Sequence, residues 1–163
     1  MLIALLMGFA SGLPLLLTGS VLQAWLKEGG INLADIGLFA LAGLPYTLKF
    51  LWAPLFDRYA LPLGRRRGWM ILAQTVVGLG LIAMSATGPS GGLAQLGVFA
   101  VIVAFASATQ DIVVDAWRIE AAQDNDELGL LSSAYQLGYR AALLTTDALI
   151  LISASHYGWP ASY

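Results

Sequence analysis

Several ionisable side chains lie inside long apolar segments, where a charge is costly and usually faces a cavity or a partner. Asp111 and Asp115 are four residues apart, so a helix places both carboxylates on one face. Arg140 lies near the middle of the next apolar segment and needs an anion, for which Asp111 and Asp147 are the candidates. Such a group is either a structural ion pair between helices or a protonatable site coupled to transport, and both interpretations stay open.

Two enzymatic uses of these aspartates compete with transport. The spacing of Asp111 and Asp115 is that of membrane prenyltransferases, whose carboxylates hold Mg²⁺ and a diphosphate, but the second acidic motif of such enzymes is missing. An intramembrane aspartyl protease is disfavoured because Asp147 lacks the required glycine context. The single histidine, His156, leaves no credible Ser/His/Asp set. We therefore expect no catalytic residue, no metal and no cofactor.

The elements that hold these residues follow from composition. Of 163 residues, 58% are hydrophobic and 11% are charged, whereas soluble domains carry about 25% charged residues. The net charge of −2 argues against a nucleic-acid partner. A membrane-spanning helix needs about 20 apolar residues. The sequence predicts five such spans, which contact the lipid bilayer. They run over about 2–26, 33–56, 68–87, 93–117 and 128–155, and residues 157–160 predict a turn into a sixth helix.

Orientation follows from the basic residues in short loops, which favour the cytoplasm. The loop after the second span holds four arginines, the loop after the fourth holds Arg118, and the opposite side holds only Lys27. We therefore expect both arginine-containing loops and the N-terminus to be cytoplasmic.

The loop after the second span also carries a candidate gate. An aspartate there can pair across the loop or bind the N-terminus of a facing helix, which would lock a cytoplasmic gate. The alternative is that the arginines only set topology, but topology would not need the aspartate. The gate residues are Asp57, Arg58, Gly64, Arg65, Arg66 and Arg67.

The first span combines small and polar residues with a proline. Gly8 and Gly12 form a GxxxG pair that permits close helix contact, and Pro14 is expected to bend or loosen the helix. Such a helix suits a cavity wall, and simple helix packing is the alternative. The cavity-lining candidates are Gly8, Gly12, Pro14, Gln23, Lys49 and Gln110, although the stem of Lys49 can instead snorkel to the interface.

Short motifs then occur in a fixed order. They are GFASGLP at 8–14, LQAW at 22–25, IG at 36–37, KFLWAPL at 49–55, DRY at 57–59, GRRRGW at 64–69, SATQDIVVDAW at 107–117 and LGYR at 137–140. This order resembles the AmpG-type muropeptide permeases, a branch of the major facilitator superfamily, from about residue 8 to Trp159. Eukaryotic acetyl-CoA transporters share the Gln-Asp-x-x-x-Asp segment. The chain departs from the superfamily at Ala53, where many members have glycine, in the extra residues 60–63, and at Asp147, where a small residue is expected.

The resemblance implies a proton-driven importer of anhydro-muropeptides, the disaccharide-peptide fragments recycled during cell-wall turnover, in the bacterial inner membrane. In this fold the first and fourth helices line the central cavity, and the second and fifth face the other half. We therefore expect an all-α, multi-pass membrane protein that forms a partial N-terminal half, with five transmembrane helices plus the start of a sixth. Its C-terminal half would be the missing partner.

The resemblance also suggests roles for the charged residues. Asp111 and Asp115 would be proton-coupling or gate residues on the transport path, and Arg140 would be their counter-charge. A major facilitator related to the acetyl-CoA transporters is the alternative, followed by a prenyltransferase that uses Asp111 and Asp115 with Mg²⁺.

Overall fold

The chain forms a bundle of helices, described by a computed structural model at residues 1–59, 61–62 and 64–163. Within these residues five helical segments are long and apolar enough to cross a membrane, and no strand is present. The five predicted spans are therefore confirmed in number and order. They are Leu2–Glu28, Leu33–Leu51, Arg65–Thr87, Leu93–Ala121 and Asn125–Tyr157.

The first span consists of two helices, α1 (Leu2–Thr18) and α2 (Ser20–Glu28). The helix runs through the buried Pro14 and is interrupted at Gly19, where φ is −103° and ψ is −111°. The Thr18 hydroxyl donates a hydrogen bond of 2.8 Å to the Pro14 carbonyl. The interruption thus lies five residues beyond the proline that the sequence singles out.

The second span is segmented, although the sequence predicts one continuous helix over 33–56. Prolines stand in the first turns of two of its helices, where their missing N–H and fixed φ favour a new helix start. Lys49 lies in one of the 3-10 turns. The segments are α3 (Leu33–Phe39), a 3-10 turn (Ala40–Gly43), α4 (Leu44–Leu48), a 3-10 turn (Lys49–Leu51) and α5 (Ala53–Arg58).

The remaining helices are longer and more regular. They are α6 (Arg65–Thr87), α7 (Leu93–Ala121) and α8 (Asn125–Tyr157), followed by the short α9 (Trp159–Ser162). Gly158 has φ +84° between α8 and α9, at the turn that the sequence predicts. We call the end of the bundle where α6 begins and α7 ends the basic end, and the opposite end the far end.

The bundle is assembled from two close helix pairs, α1 with α8 and α6 with α7. A Cβ on Gly8 would lie 2.0 Å from the Tyr135 carbonyl oxygen, and a Cβ on Gly138 would lie 1.9 Å from the Leu5 carbonyl oxygen. Only glycine fits at such distances, so the GxxxG prediction of close helix contact is confirmed. Gly8 and Gly12 are buried against α8.

The apolar core is concentrated towards the far end. Leu22, Leu26, Met84 and Leu96 are fully buried there. The rings of Trp25 and Trp159 stack with centroids 6.1 Å apart, and the Trp159 indole donates to Glu28 over 2.9 Å. This packing holds α9 against the first span and leaves the polar residues nearer the basic end.

Candidate functional site

Four charged side chains from two spans meet inside the bundle. Lys49 Nζ lies 3.9 Å from Asp111 Oδ2 and 3.8 Å from Asp115 Oδ2. The Arg118 guanidinium forms a second ion pair with Asp115. Asp111 and Asp115 therefore share one face of α7, as their spacing predicts, and two cations balance two carboxylates. We call Lys49, Asp111, Asp115 and Arg118 the charged cluster.

The two carboxylates of the charged cluster differ in their surroundings. The Asp111 side chain is only 10% exposed, whereas that of Asp115 is 42% exposed. Asp111 lies ten residues before the end of α7 at Ala121, which is about 15 Å at 1.5 Å per residue. One carboxylate is therefore held within the bundle and the other lies closer to the basic end and to solvent.

Polar side chains from α8 and α1 hold the buried part of this site. The Tyr135 hydroxyl donates to Asp111 Oδ1 over 3.5 Å, and the Arg118 guanidinium carbon lies 4.3 Å from the centroid of the Tyr135 ring. On the neighbouring position of α7, the Gln110 amide donates to the Ser11 hydroxyl over 3.4 Å. Tyr135 thus connects α8 to both ends of the charged cluster.

Sequence reasoning missed Tyr135, although α8 carries a signal for it. Ala134, Gly138 and Ala142 are spaced by four residues and are all buried, so they form a stripe of small residues that marks the packed side of the helix. Tyr135 lies beside that stripe. Its contact with Asp111 therefore follows from which side of α8 is packed, not from its residue type.

The predicted pairing of Arg140 with Asp111 is wrong. Arg140 is exposed and makes no ion pair with any described residue, and Lys49 occupies the position next to Asp111. The reason is helical geometry, since five residues separate Arg140 from Tyr135 and turn it by about 140° around α8. Asp147, the second candidate partner, accepts a hydrogen bond of 3.0 Å from the Ser20 hydroxyl instead.

The predicted cavity-lining residues occupy three different environments. Gly8, Gly12 and Pro14 are buried in α1. Gln110 is 2% exposed on α7, whereas Gln23 is exposed on α2. Lys49 belongs to the charged cluster, so its ammonium does not simply extend to the membrane surface. That these residues line one cavity stays a prediction.

A second polar group ties three helices together at the basic end. Arg66 Nη2 lies 2.8 Å from Asp57 Oδ1 and 2.6 Å from Glu120 Oε1. Arg65 Nη2 lies 3.3 Å from the same Glu120 oxygen, and Arg65 Nη1 donates to the Asp57 carbonyl over 3.4 Å. We call Asp57, Arg65, Arg66 and Glu120 the arginine cluster; it links α5, α6 and α7.

The other gate candidates lie around the arginine cluster. Arg58 and Arg67 are exposed and form no ion pair within the described ranges. Gly64 precedes α6 with φ +100°, a conformation that glycine adopts without strain. Of the extra residues 60–63, Ala60 and Leu63 lie outside the described residues. Glu120 was not predicted, because the sequence ends the fourth span at residue 117, whereas α7 continues to Ala121.

Comparisons with known proteins find transporters of two related kinds. A family model described as Acetyl-coenzyme A transporter 1 matches residues 1–93. The chain is 44% identical over 163 residues to the Anhydromuropeptide permease of Escherichia coli K12, covering 99% of this chain and 33% of that protein. It is 39% identical over 157 residues to the Putative transporter AmpG 4 of Rickettsia conorii, covering 94% and 38% respectively. The chain therefore spans about a third of the length of the curated relatives it matches.

Proposed function

This chain belongs to the transporter family described as Acetyl-coenzyme A transporter 1 and is of the AmpG permease type, and from that premise we propose that it is part of an importer of anhydro-muropeptides. The similarity to a named anhydromuropeptide permease over essentially the whole chain carries this proposal. The family match spans only residues 1–93, so we propose muropeptides and not acetyl-CoA as the substrate class.

The membrane, the orientation and the missing partner belong to the same proposal. The importer would lie in the bacterial inner membrane, where it would return cell-wall fragments to the cytoplasm. The basic end would face the cytoplasm together with the N-terminus, because Arg65, Arg66 and Arg118 cluster there. The five spans and α9 would form most of one half, and a second half would complete the pathway.

We propose that Asp111 and Asp115 couple transport to protons, with Lys49 in place of Arg140 as the shared counter-charge. Lys49 lies between the two carboxylates at 3.9 and 3.8 Å. Protonation of either carboxylate weakens its attraction for the ammonium and changes the balance between conformations that differ in this contact. Lys49 stands in a 3-10 turn of the segmented second span, and such turns within a helix often mark hinges.

The arginine cluster would stabilise one conformation of the cytoplasmic gate. It joins α5, α6 and α7 by charge-assisted hydrogen bonds, which are stronger than neutral ones. Breaking it would let α5 move away from α7 at the basic end. Because α5 directly follows the turn that contains Lys49, displacement of the lysine would be transmitted to the gate.

The magnesium-dependent prenyltransferase is less well supported by the geometry. Lys49 and Arg118 already place positive charge beside both carboxylates, and like charges oppose the binding of a divalent cation at the same oxygens. The two aspartates are thus better suited to carrying a proton than to holding a metal–diphosphate pair.

Uptake of radiolabelled anhydro-muropeptide tests the proposal. The full-length protein would be expressed in cells that lack their own permease, and uptake would be measured over external pH 5.5–8 with and without a protonophore. We expect Asp111→Asn to abolish the stimulation of uptake by acid, while Asp126→Asn, an exposed residue at the start of α8, leaves it unchanged. Wild-type pH dependence in Asp111→Asn would refute the coupling role, and absence of uptake by the wild-type protein would refute the substrate.

A further inference from the structure

A polar stripe crosses the surface of α8 on the side away from the charged cluster. Its members follow at intervals of three, four and seven residues, which places them within about 60° of one another around the helix. All four are exposed in this structure. They are Ser133, Gln136, Arg140 and Asp147.

The stripe extends onto the first span. The Ser20 hydroxyl on α2 donates to Asp147 Oδ1 over 3.0 Å, and the exposed Gln23 lies one turn further along α2. Gln23 is also one of the cavity-lining candidates that the sequence predicts. Two helices therefore contribute to one polar surface. We use the name polar stripe for the four residues of α8 together with Ser20 and Gln23 of α2.

The polar stripe is unsuited to lipid. Arg140 lies 15 residues from the start of α8 and 17 from its end at Tyr157, so it is deep in the span, where a charge costs several kcal/mol unless it is paired or hydrated. The four residues of the charged cluster are in ion pairs with one another on the other side of α8. Arg140 has no anion within the described part of the chain, and Asp147 has only the Ser20 hydroxyl.

The two charges of the polar stripe have opposite sign and a fixed separation. Seven residues of helix place their Cα atoms about 10 Å apart along the axis and nearly on one line. An arginine binds a carboxylate through two parallel hydrogen bonds, and an aspartate accepts hydrogen bonds from an ammonium group. The complementary ligand therefore carries a carboxylate and an amine several bonds apart, as a zwitterionic peptide does.

We infer that the polar stripe is a substrate subsite, in which Arg140 binds a carboxylate of the transported peptide and Asp147 binds its free amine. This inference rests on the proposed function and adds to it the chemical groups by which the peptide part of the substrate is selected. Asp147 stands where the resemblance leads one to expect a small residue. The amine preference is thus a property of this chain and not one implied by the family.

Binding of a peptide probe tests the subsite independently of transport. The probe is a synthetic tetrapeptide with a free C-terminal carboxylate and one free side-chain amine. It is compared with a form acetylated on that side-chain amine and with a form amidated at the C-terminus. Binding is measured by calorimetry on the purified full-length protein and on Asp147→Asn and Arg140→Gln. Lys27→Gln, an exposed cation at the end of α2, and Asp126→Asn are matched controls.

The expected pattern pairs each residue with one group of the probe. Acetylation of the amine should weaken binding to the wild-type protein at least tenfold but by less than threefold in Asp147→Asn, because a hydrogen bond between charged groups is worth about a factor of ten or more. Amidation of the carboxylate should behave in the same way with Arg140→Gln. Both control variants should respond as the wild-type protein does.

Three outcomes would overturn the inference. The first is wild-type binding that is indifferent to both modifications. The second is the absence of binding of any form. The third is that Asp147→Asn and Arg140→Gln lose affinity equally for all three peptides and also assemble less well. This result would show that the polar stripe packs against protein. The proposed function fails separately, through absence of muropeptide uptake by the wild-type protein.

Discussion

Replacing Lys49 by methionine removes the ammonium that lies between two carboxylates of α7 while keeping an apolar side chain of similar length. Asp115 keeps Arg118, but Asp111 loses its cation and keeps the long hydrogen bond from Tyr135. Breaking a buried ion pair costs about 3–5 kcal/mol and an exposed one at most about 1 kcal/mol. Because the Lys49 side chain is 34% exposed and that of Asp111 10%, we expect a loss of about 2 kcal/mol in stability, between these limits.

The double variant Lys49→Met/Asp111→Asn separates this charge effect from a simple loss of packing. Removing the carboxylate removes the uncompensated charge, so the double variant should regain at least half of the lost stability. The measurement is denaturant unfolding of the full-length protein in micelles, followed by tryptophan fluorescence. The control is Lys27→Met, at the exposed end of α2, for which a change below about 0.5 kcal/mol is expected.

Two results would refute the reasoning about Lys49. One is a double variant that is as unstable as Lys49→Met alone, which would show that Asp111 does not depend on the lysine. The other is coupling of Asp111→Asn to Arg140→Met instead of to Lys49→Met, which would restore Arg140 as the counter-charge that the sequence suggested.

Three further predictions concern the rest of the bundle. Gly138→Ala should destabilise the protein by about 1–3 kcal/mol, because its Cβ would meet the Leu5 carbonyl at 1.9 Å, whereas Gly129→Ala on the open side of α8 should not destabilise it in the same unfolding assay. Arg66→Gln should raise several-fold the maleimide labelling of a cysteine introduced at Thr109, a buried residue of α7 that lines one pocket with Phe56 of α5, since the link between α5 and α7 is lost, while Arg67→Gln should not. Trp159→Phe should cost about 1 kcal/mol, through loss of the hydrogen bond to Glu28, measured by the same unfolding assay; no change would show that this bond is not stabilising.

Much of this architecture could be predicted because it depends on local patterns. Apolar stretches defined the five spans, and the spacing of Asp111 and Asp115 placed both on one helix face. The contact between Asp57 and the arginines followed from their positions on two sides of a short loop. In each case the residues involved are close in sequence, so that helix geometry alone determines how they are arranged.

The partners of the charged residues could not be predicted in the same way. Lys49 and Asp111 are 62 residues apart, and their contact depends on how the segmented second span is rotated against α7. Arg140 was assigned to Asp111 on depth alone, whereas the packed side of α8 is determined by its small residues and carries Tyr135 there. Glu120 lies beyond the predicted end of the fourth span at residue 117, so its position on α7 was not known. Rotation of helices about their axes is a tertiary property, and a single sequence constrains it weakly.

The glycine contact between α1 and α8 has a consequence for biosynthesis. The two glycines that meet carbonyls of the opposite helix are separated by 130 positions, from Gly8 to Gly138, which a ribosome takes about 7–26 s to translate at 5–20 residues per second. Throughout that interval α1 lies in the membrane without its main partner, with Ser11 and the GxxxG surface uncovered. Nascent α1 therefore needs to stay bound to the insertion machinery until the fifth span emerges. A ribosome that stalls before α8 is made would leave an intermediate prone to non-native helix pairing or degradation.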